Sequence, residues 1–325
     1  MTKHTKRVGV LMGGWGEERE ASLRTGEALA EALERRGHPV ARLFAGNGLD
    51  ATLREAGVEV VVLALRGRLG EDGRVQGLLE VMGLPYSGSG VLASALAMNK
   101  GVAKKLLRQH NLATPTGYVV SAQRRAEATA LHADLGFPCV VKPARGGSSV
   151  GCTLVHAREQ LEPALALACR HGGEALVERY VKGKEVTVAL LDDRVLGACE
   201  VSPEGAVCDA AARADGAARA HLPPRLPRTR VSNLEQMALS AARALGCRGA
   251  VQVDFIVPEV GNEVVLEVNT LPGLTRESLY ARIAAAAGLS FEDLAEQLVA
   301  GARLEDTPAT AGDDAAVTLA QADVG

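Results

Sequence analysis

Three oxygen-bearing side chains stand close together in the last quarter of the chain. Asp254 lies in one apolar segment, and Glu267 and Asn269 alternate along the next. Because the side chains of a strand repeat with a period of two, Glu267 and Asn269 share a face. Magnesium prefers such hard oxygen ligands and usually takes one or two carboxylates beside waters and phosphate oxygens. The alternative is a set of polar residues on an exposed sheet edge, but the surrounding valines indicate buried strands, where carboxylates need partners.

A lysine followed by a turn of glycines and serines offers groups that bind phosphate. Lys142 ends an apolar segment and precedes Gly146-Gly147-Ser148-Ser149. The backbone N–H groups and hydroxyls of such a turn contact phosphate oxygens, while the lysine supplies a point charge. The segment does not have the GxxxxGK[ST] pattern, and no helix is predicted directly after it. A flexible hairpin turn without a ligand is the alternative.

A short crossing segment runs from Glu178 to Val181, and Glu185 follows it. Such a segment between two domains binds adenine through its backbone groups, and a nearby carboxylate accepts hydrogen bonds from ribose hydroxyls. The alternative is a surface hairpin.

A strand-to-helix junction near the N-terminus carries Gly13-Gly14, then Glu18-Arg19-Glu20 and Ser22. The first turn of a helix attracts an anionic group, whereas a carboxylate at this place binds an ammonium group. Ordinary capping of the helix by acidic residues is the alternative.

The elements that must position these residues alternate in the first part of the chain. Residues 8–12 have a buried-strand pattern, and residues 18–36 carry the apolar stripe of a helix. Residues 58–65 form a near-continuous apolar run, which is typical of a parallel strand covered on both faces. Residues 1–97 are therefore predicted to form an open α/β domain, with functional residues at the carboxyl ends of its strands.

Short strands outnumber helices in the centre, which predicts an α+β domain over residues 98–186. Its predicted strands are 118–120, 138–142, 151–155, 175–178 and 185–191, with helices around 123–135 and 158–170. A second α+β domain is predicted over residues 187–304, with strands 250–257 and 263–268 and helices around 232–245 and 291–302. Residues 305–325 are small, acidic and aperiodic, which predicts a disordered tail.

The bulk composition excludes several classes of partner. The 325 residues carry a net charge of -3, which gives no basis for a nucleic-acid-binding or membrane-surface protein. No segment reaches the roughly 18 apolar residues of a membrane span, and the apolar segment after the basic N-terminus is too short for a signal peptide. The six cysteines are scattered without a CxxC pair, which predicts free thiols and a cytoplasmic location.

Taken together, these motifs resemble the ATP-grasp superfamily, and within it the D-alanine–D-alanine ligases, from about residue 7 to residue 303. The shared motifs are Gly13-Gly14 with Glu18-Arg-Glu, Leu65-x-Gly-x-x-Gly-Glu71-Asp72-Gly73-x-x-Gln76-Gly77, Leu84-Pro-Tyr-Ser-Gly88-Ser89-Gly90, Met98-Asn-Lys100, Val141-Lys-Pro with Gly147-Ser-Ser-Val-Gly151, and Leu266-Glu-x-Asn-Thr-x-Pro-Gly273. The resemblance implies a three-domain ATP-grasp fold of mixed α/β and α+β class, with ATP bound between the central and C-terminal domains.

The resemblance also implies roles for individual residues. Those implied to bind ATP are Lys100, Lys142, Ser148, Ser149, Glu178, Val181, Glu185 and Leu266, of which the two lysines contact phosphates, Glu178 and Val181 the adenine, and Glu185 the ribose. Two Mg²⁺ or Mn²⁺ ions are implied on Asp254, Glu267 and Asn269. Those implied to contact the substrates are Glu18, which holds the ammonium of the first amino acid, Ser278, which contacts the carboxylate of the second, and Gly273.

The implied reaction makes a peptide bond in two steps. A substrate carboxylate attacks the γ-phosphate of ATP to give an acyl phosphate, and the amine of a second amino acid then displaces phosphate. Positioning and charge neutralisation supply most of the acceleration in such transfers. The family is commonly dimeric, so a homodimer is an expectation.

The chain departs from the family on the substrate side. Position 66 is arginine where the family has histidine, and position 252 is glutamine where it has arginine. In the loop that closes the site, Arg213 stands at the lysine position and Ala214 at a tyrosine. Losing one charge-stabilising donor commonly costs about 3–4 kcal/mol in the transition state. We therefore expect Arg66 to replace the cation lost at Gln252, with Ser148 and Arg213 completing the catalytic set beside Glu18.

Three functions are compatible with these motifs. The first is ligation of two D-alanines for peptidoglycan precursor synthesis. The second is a related ligation of other amino or carboxylic acids, such as a step of secondary metabolism. The third is a non-catalytic nucleotide-binding homologue, although such a protein has no reason to keep the complete set of lysines and metal-ligand candidates.

Overall fold

The computed structural model describes residues 5–128, 132, 135–147, 150–202 and 219–305. The predicted tail therefore lies outside the described residues apart from Glu305, as do Ser148, Ser149, Arg213 and Ala214. The three sheets of the described residues lie one after another along the chain. This order fits the mixed α/β and α+β class, while the predicted domain boundaries stay predictions.

The N-terminal sheet is parallel, with strand order β2-β1-β3. Its strands are β1 (Val8–Gly13), β2 (Val40–Ala45) and β3 (Val60–Leu63). Five helices accompany or follow it among the described residues: α1 (Arg19–Arg35), α2 (Leu49–Ala56), α3 (Arg74–Met82), α4 (Val91–Met98) and α5 (Lys100–Gln109). The prediction of a strand, a helix and a buried parallel strand is confirmed here, although β3 is shorter than the apolar run.

The carboxyl ends of β1 and β3 are joined through one serine. Ser22 Oγ accepts a hydrogen bond from Gly13 N at 2.8 Å and donates one to Ala64 O at 2.8 Å. The loop that leads to Glu18 and the loop that carries Arg66 therefore leave the same edge of the sheet side by side, as expected for functional loops of an open α/β sheet.

The central sheet is antiparallel, with strand order β4-β7-β5-β6. Its strands are β4 (Gly117–Ser121), β5 (Cys139–Pro143), β6 (Thr153–Val155) and β7 (Glu174–Arg179). Helix α6 (Leu161–Gly172) packs its buried Leu165 and Ala168 against this sheet. The first part of the helix predicted around 123–135 is a 3₁₀ helix at residues 122–127, and much of the remainder lies outside the described residues.

The C-terminal sheet has the order β10-β9-β8-β11-β12 and is antiparallel throughout. Its strands are β8 (Lys184–Leu191), β9 (Arg194–Ser202), β10 (Arg219–His221), β11 (Ala250–Val257) and β12 (Val264–Asn269). Helix α7 (Arg228–Leu245) covers one face, and α8 (Leu279–Ala286) and α9 (Phe291–Ala300) complete the chain.

The N-terminal and C-terminal parts share one hydrophobic core. Leu29 and Leu33 of α1 belong to the same buried cluster as Ile283 of α8 and Leu294 of α9. Because this core is continuous, the loops at the carboxyl edge of the N-terminal sheet are held against the segment that follows β12.

Two predictions from composition can be compared with the described part of the chain. Cys139, Cys152, Cys169, Cys199 and Cys247 are free thiols, while Cys208 lies outside it. None of the described helices is both long enough and apolar enough to span a bilayer.

Candidate active site

A cleft opens between the central and C-terminal sheets, and we call it the central cleft. The residues that line it include six predicted nucleotide-binding residues: Lys100, Lys142, Glu178, Val181, Glu185 and Leu266. Glu267, Gly146 and Gly147 line it as well. The structure therefore brings together every predicted nucleotide-binding residue that it describes, and a surface hairpin at 178–185 is not what forms.

The candidate metal ligands lie on facing positions of two paired strands. In the register of β11 and β12, Gln252 is opposite Asn269 and Asp254 is opposite Glu267. Directly opposed residues of an antiparallel pair project to the same side, so these four side chains form one polar patch. On the other side of β11, Val251, Val253 and Phe255 are buried in the core.

A β-bulge brings an additional residue to the cleft. Asp254 pairs with Glu267, but the next residue, Phe255, pairs with Val265, which leaves Leu266 without an opposite residue. An extra residue of this kind breaks the strict alternation and redirects side chains. Leu266 and Glu267 both line the central cleft as a result, one apolar and one acidic.

Asp254 is held by two neighbouring donors. Thr187 Oγ1 on β8 donates to Asp254 Oδ1 at 2.6 Å, and Gln252 Nε2 donates to the two carboxylate oxygens at 3.1 and 3.3 Å. Only 8% of the Asp254 surface is exposed. The amide of Gln252 therefore orients a carboxylate of the polar patch, a contact that the sequence pattern alone did not indicate.

The two other members of the patch contact the loops around the cleft. Glu267 Oε2 is 3.1 Å from Lys100 Nζ, and Asn269 Oδ1 accepts a hydrogen bond from Leu271 N at 3.2 Å. Within the described residues, no group of three or more His, Cys, Asp and Glu side chains is arranged to hold a metal. Two carboxylates and one amide nevertheless form the sparse oxygen set that Mg²⁺ uses when phosphates complete its shell.

Three charged side chains meet on the wall of the cleft. Glu178 Oε1 is 2.6 Å from Lys104 Nζ, and Glu178 Oε2 is 2.7 Å from Lys142 Nζ. Burial by itself would raise the pKa of Glu178, but the two lysines outweigh it and hold that pKa below its ordinary value. Burial would lower the pKa of Lys142, but the carboxylates of Glu178 and Glu267 outweigh it and raise that pKa.

Lys104 was missed by the sequence reasoning. Burial lowers the pKa of Lys104 to about 8. The negative charge of Glu178 acts to raise this pKa, and the positive charge of Lys142 acts to lower it further. A signal was present, because Lys104 stands among Gly101, Ala103 and Leu107 on the buried face of α5. A lysine among small and apolar residues at helical spacing indicates a buried charge with a specific partner.

The loop after β5 closes the cleft from the central sheet. Lys100 Nζ donates to Gly146 O at 2.6 Å, and Lys100 N donates to Ala144 O at 2.9 Å. Gly146 has a φ of 124°, which a residue with a side chain adopts only with strain. The first half of the predicted phosphate loop is thus tied to Lys100, and its serines lie outside the described residues.

Glu18 crosses from the N-terminal domain to this loop. A Cβ placed on Gly147 would lie 2.9 Å from Glu18 Oε1, and a side chain on Gly67 would overlap the same carboxylate. Glu18 occupies the N-cap position of α1, yet its side chain makes no capping hydrogen bond. The Glu18 side chain therefore does not cap α1 by a hydrogen bond, although the acidic Glu20 lies in the first turn. The two glycines leave room for the Glu18 carboxylate at the junction of two domains.

Arg66 joins the N-terminal domain to the segment after β12. Arg66 Nη1 donates to Leu271 O at 2.7 Å, and a Cβ on Gly273 would lie 3.9 Å from the same nitrogen. The guanidinium therefore lies beside Gly273, which the resemblance assigns to the substrates.

Glu71 is almost fully buried, with 7% of its surface exposed, and lies within the electrostatic influence of Arg66. Burial raises the pKa of Glu71 to about 7, and the negative charge of Glu18 adds to this effect. Arg66 and the N–H of Gly67, which donates to Glu71 Oε2, act in the opposite direction. The sequence marks Glu71 only as a member of the motif at residues 65–77.

Ser278 begins α8, where its hydroxyl accepts a hydrogen bond from Ala281 N at 3.3 Å. It is half-buried, and its contact with a substrate carboxylate stays a prediction.

Comparison with known proteins agrees with this geometry. A family model described as D-ala D-ala ligase C-terminus matches residues 106–300, and one described as D-ala D-ala ligase N-terminus matches residues 42–89. The chain belongs to the D-alanine–D-alanine ligase family. The ATP-grasp architecture anticipated from the motifs is thereby confirmed.

Similar members of the family cover almost the whole chain. A D-alanine–D-alanine ligase of Anaeromyxobacter dehalogenans is 49% identical over 92% of this chain and 98% of its own length. One of Geobacter sulfurreducens is 45% identical over 93% of this chain and 95% of its own length.

Among solved structures, D-alanine–D-alanine ligase from Bacillus anthracis complexed with ATP superposes with a TM-score of 0.81 at 30% identity, covering 91% of this chain and 97% of that one. VanG D-Ala:D-Ser ligase from Enterococcus faecalis superposes with a TM-score of 0.80 at 26% identity, covering 91% of this chain and 99% of that one.

Proposed function

We propose that this protein joins two D-alanines into D-alanyl-D-alanine at the expense of ATP, as a step of peptidoglycan precursor synthesis. The observation that carries the proposal is the meeting of Lys100, Lys142, Glu178, Glu185 and Glu267 in one cleft between two domains. The relatives named D-alanine–D-alanine ligase and the ATP complex of a solved relative support it.

The nucleotide half of the proposed site uses the central cleft. Lys100 and Lys142 neutralise phosphate oxygens, and Ser148 and Ser149 help the loop after β5 to cover them. The adenine lies against the 178–181 segment and Leu266, and Glu185 accepts hydrogen bonds from the ribose. Cations held in place before the reaction stabilise the charge that develops on the transferred phosphoryl group.

Asp254, Glu267 and Asn269 would hold two Mg²⁺ or Mn²⁺ ions, the number that the family resemblance implies, next to the phosphates. The bound ions supply positive charge that neutralises phosphate oxygens during transfer. Thr187 and Gln252 fix the orientation of the Asp254 carboxylate through the contacts described above, as partners of metal ligands commonly do.

The substrate half lies where the N-terminal domain meets the cleft. Glu18 holds the ammonium of the first D-alanine, and the backbone at Gly273 and the Ser278 hydroxyl receive the second. The carboxylate of the first D-alanine attacks the γ-phosphate, ADP leaves, and the amine of the second D-alanine displaces phosphate from the acyl phosphate.

Arg66 is the cation that we assign to the reacting carboxyl group. Gln252 is neutral and donates to Asp254, whereas the Arg66 guanidinium lies beside Gly273. This arrangement supports the proposal that Arg66 supplies the positive charge that the family carries at position 252. Arg213 is proposed as a further cation from the closing loop.

A second candidate is ligation of D-alanine, or of another acid, to a different acceptor. Arg66 is also the observation that favours this candidate. Compared with the histidine that the family has at this position, a guanidinium beside Gly273 changes the charge and size of the pocket for the second substrate. A non-catalytic role is disfavoured, since the chain belongs to a family of enzymes and keeps the nucleotide-binding lysines.

The free thiols of the described residues support a cytoplasmic setting for this reaction. A homodimer is proposed from the family resemblance alone.

The proposal is tested by measuring ADP release with single D- and L-amino acids and with pairs of them. We expect turnover with D-alanine alone, with the dipeptide identified by mass spectrometry. Turnover only when a different acid is present would establish the second candidate, and no turnover with any acid would leave only nucleotide binding.

A further inference from the structure

One carboxylate on the cleft wall is shared by two lysines. Lys142 contacts Glu178 Oε2 from the cleft side, and Lys104 contacts Glu178 Oε1 from α5. Lys142 and Glu178 line the central cleft, whereas Lys104 lies behind them with 3% of its surface exposed. Lys104 is therefore placed to act on a ligand of the cleft only through Glu178.

The contact between Lys104 and Glu178 is a buried, charge-assisted pair. Lys104 Nζ and Glu178 Oε1 are 2.6 Å apart, and neither atom has a hydrogen-bond partner elsewhere among the described residues. The positive charge of Lys104 is therefore directed at Glu178.

Burying three charges is costly, and a fold that needed only stability would use apolar residues here. One lysine would suffice to neutralise Glu178. With two lysines, the group carries one positive charge in excess, and Lys142 presents that charge to the cleft. The second lysine becomes important when the first one has another anion to bind.

We propose that Lys104 is a positioning residue, which keeps Glu178 neutralised so that Lys142 can leave it and contact the phosphates of a bound nucleotide. This inference rests on the proposed binding of ATP in the central cleft. Without Lys104, the move of Lys142 towards phosphate would leave Glu178 as a buried carboxylate with no cation. Lys142 would then stay paired with Glu178, and nucleotide affinity would fall.

The test is calorimetric titration of the full-length protein with AMP-PNP in the presence of Mg²⁺. We expect Lys104→Met to weaken binding at least tenfold, which corresponds to about 1.4 kcal/mol. Lys105→Met is the matched control, because it removes the same charge from the exposed next position of α5, and its affinity should stay within about twofold of the unmodified protein.

A double substitution separates this role from simple support of the fold. If Lys104 serves only to neutralise Glu178, it becomes dispensable once Glu178 is an amide. The double variant Lys104→Met/Glu178→Gln should therefore bind AMP-PNP with the same affinity as Glu178→Gln alone. If Lys104→Met alone does not fold, the double variant still gives a test, because it no longer contains a buried carboxylate without a cation. In turnover, Lys104→Met should raise the KM for ATP while the KM for the amino acid is unchanged.

Two results would overturn the inference. One is Lys104→Met binding AMP-PNP as the unmodified protein does, and the other is a further loss of affinity when Lys104→Met is added to Glu178→Gln. Failure of the unmodified protein to bind AMP-PNP at all is a different result, because it would overturn the proposed function itself.

Discussion

At the scale of single residues, Gln252 and Arg66 divide two tasks. The amide of Gln252 donates to Asp254, and the guanidinium of Arg66 is anchored on Leu271 O beside Gly273. Both side chains that differ from the family pattern thus make specific contacts. The sequence identified these two positions as departures, but it could not show that they face different groups.

Removal of Arg66 tests its proposed role as the cation of the reaction. We expect Arg66→Ala to lower kcat/KM by a factor of about 10²–10³, the usual cost of one charge-stabilising donor. Arg68→Ala is the control, since Arg68 is exposed two positions away and should keep nearly full activity. Equal activities of the two variants in steady-state kinetics would remove Arg66 from the mechanism.

Glu71 gives a prediction for pH. Its pKa is raised to about 7 in the folded protein, above its ordinary value of 4.5. The protonated form therefore stabilises the folded state below pH 4.5, and this contribution is lost as the pH rises through 7.

Glu71→Gln abolishes this loss, because the amide has no proton to release. We expect the variant to become more stable than the unmodified protein by about 1–3 kcal/mol at pH 8, with a smaller difference at pH 5. Urea unfolding of both proteins at several pH values measures the difference in the free energy of unfolding. A difference that does not change with pH would show that the pKa of Glu71 is not raised in the folded protein.

At the scale of secondary structure, the polar patch depends on strand register. The period of two predicted correctly that Glu267 and Asn269 share a face, and the valines predicted that β11 is buried. Neither the pairing of Asp254 with Glu267 nor the bulge at Leu266 was predictable, because register is set by contacts between strands that are separate in sequence. The helix predicted around 123–135 begins as a 3₁₀ helix at 122–127, a distinction that local composition does not make.

Thr187 connects β8 to the patch and can be tested by an isosteric change. Thr187→Val removes the hydroxyl that donates to Asp254 Oδ1 at 2.6 Å and keeps the shape of the side chain. We expect the affinity for Mn²⁺, titrated into the ADP complex, to fall about 10-fold or more.

The control is Thr52→Val on α2, where the side chain is exposed. If both variants bind Mn²⁺ with the same affinity as the unmodified protein, Thr187 does not orient a metal ligand.

At the scale of the whole molecule, the site exists because the N-terminal domain is docked on the C-terminal one. The core shared by α1, α8 and α9 is reinforced at its edge by polar contacts. These include the ion pair of Arg35 with Glu292 at 3.0 Å and a contact of His38 Nε2 with Glu296 Oε1 at 2.8 Å. The sequence predicted the amphipathic helices but not this docking, because an apolar stripe does not indicate which other element it packs against.

Truncation of a core residue at this interface should weaken the whole molecule. Leu294 is fully buried in the shared core, and we expect Leu294→Ala to lower the free energy of unfolding by about 2–5 kcal/mol. Leu92→Ala, at a position that is 66% exposed, should change it by less than about 0.5 kcal/mol. Equal stabilities in denaturant unfolding would show that the shared core contributes little.

The central claim is that a D-alanine carboxylate attacks ATP before the peptide bond forms. It is tested most directly by supplying D-alanine labelled with ¹⁸O in its carboxylate and analysing the products by mass spectrometry. We expect D-alanyl-D-alanine together with phosphate that carries one ¹⁸O atom, because the attacking oxygen leaves with the phosphoryl group. Unlabelled phosphate, or ADP formed without the dipeptide, would contradict the claim.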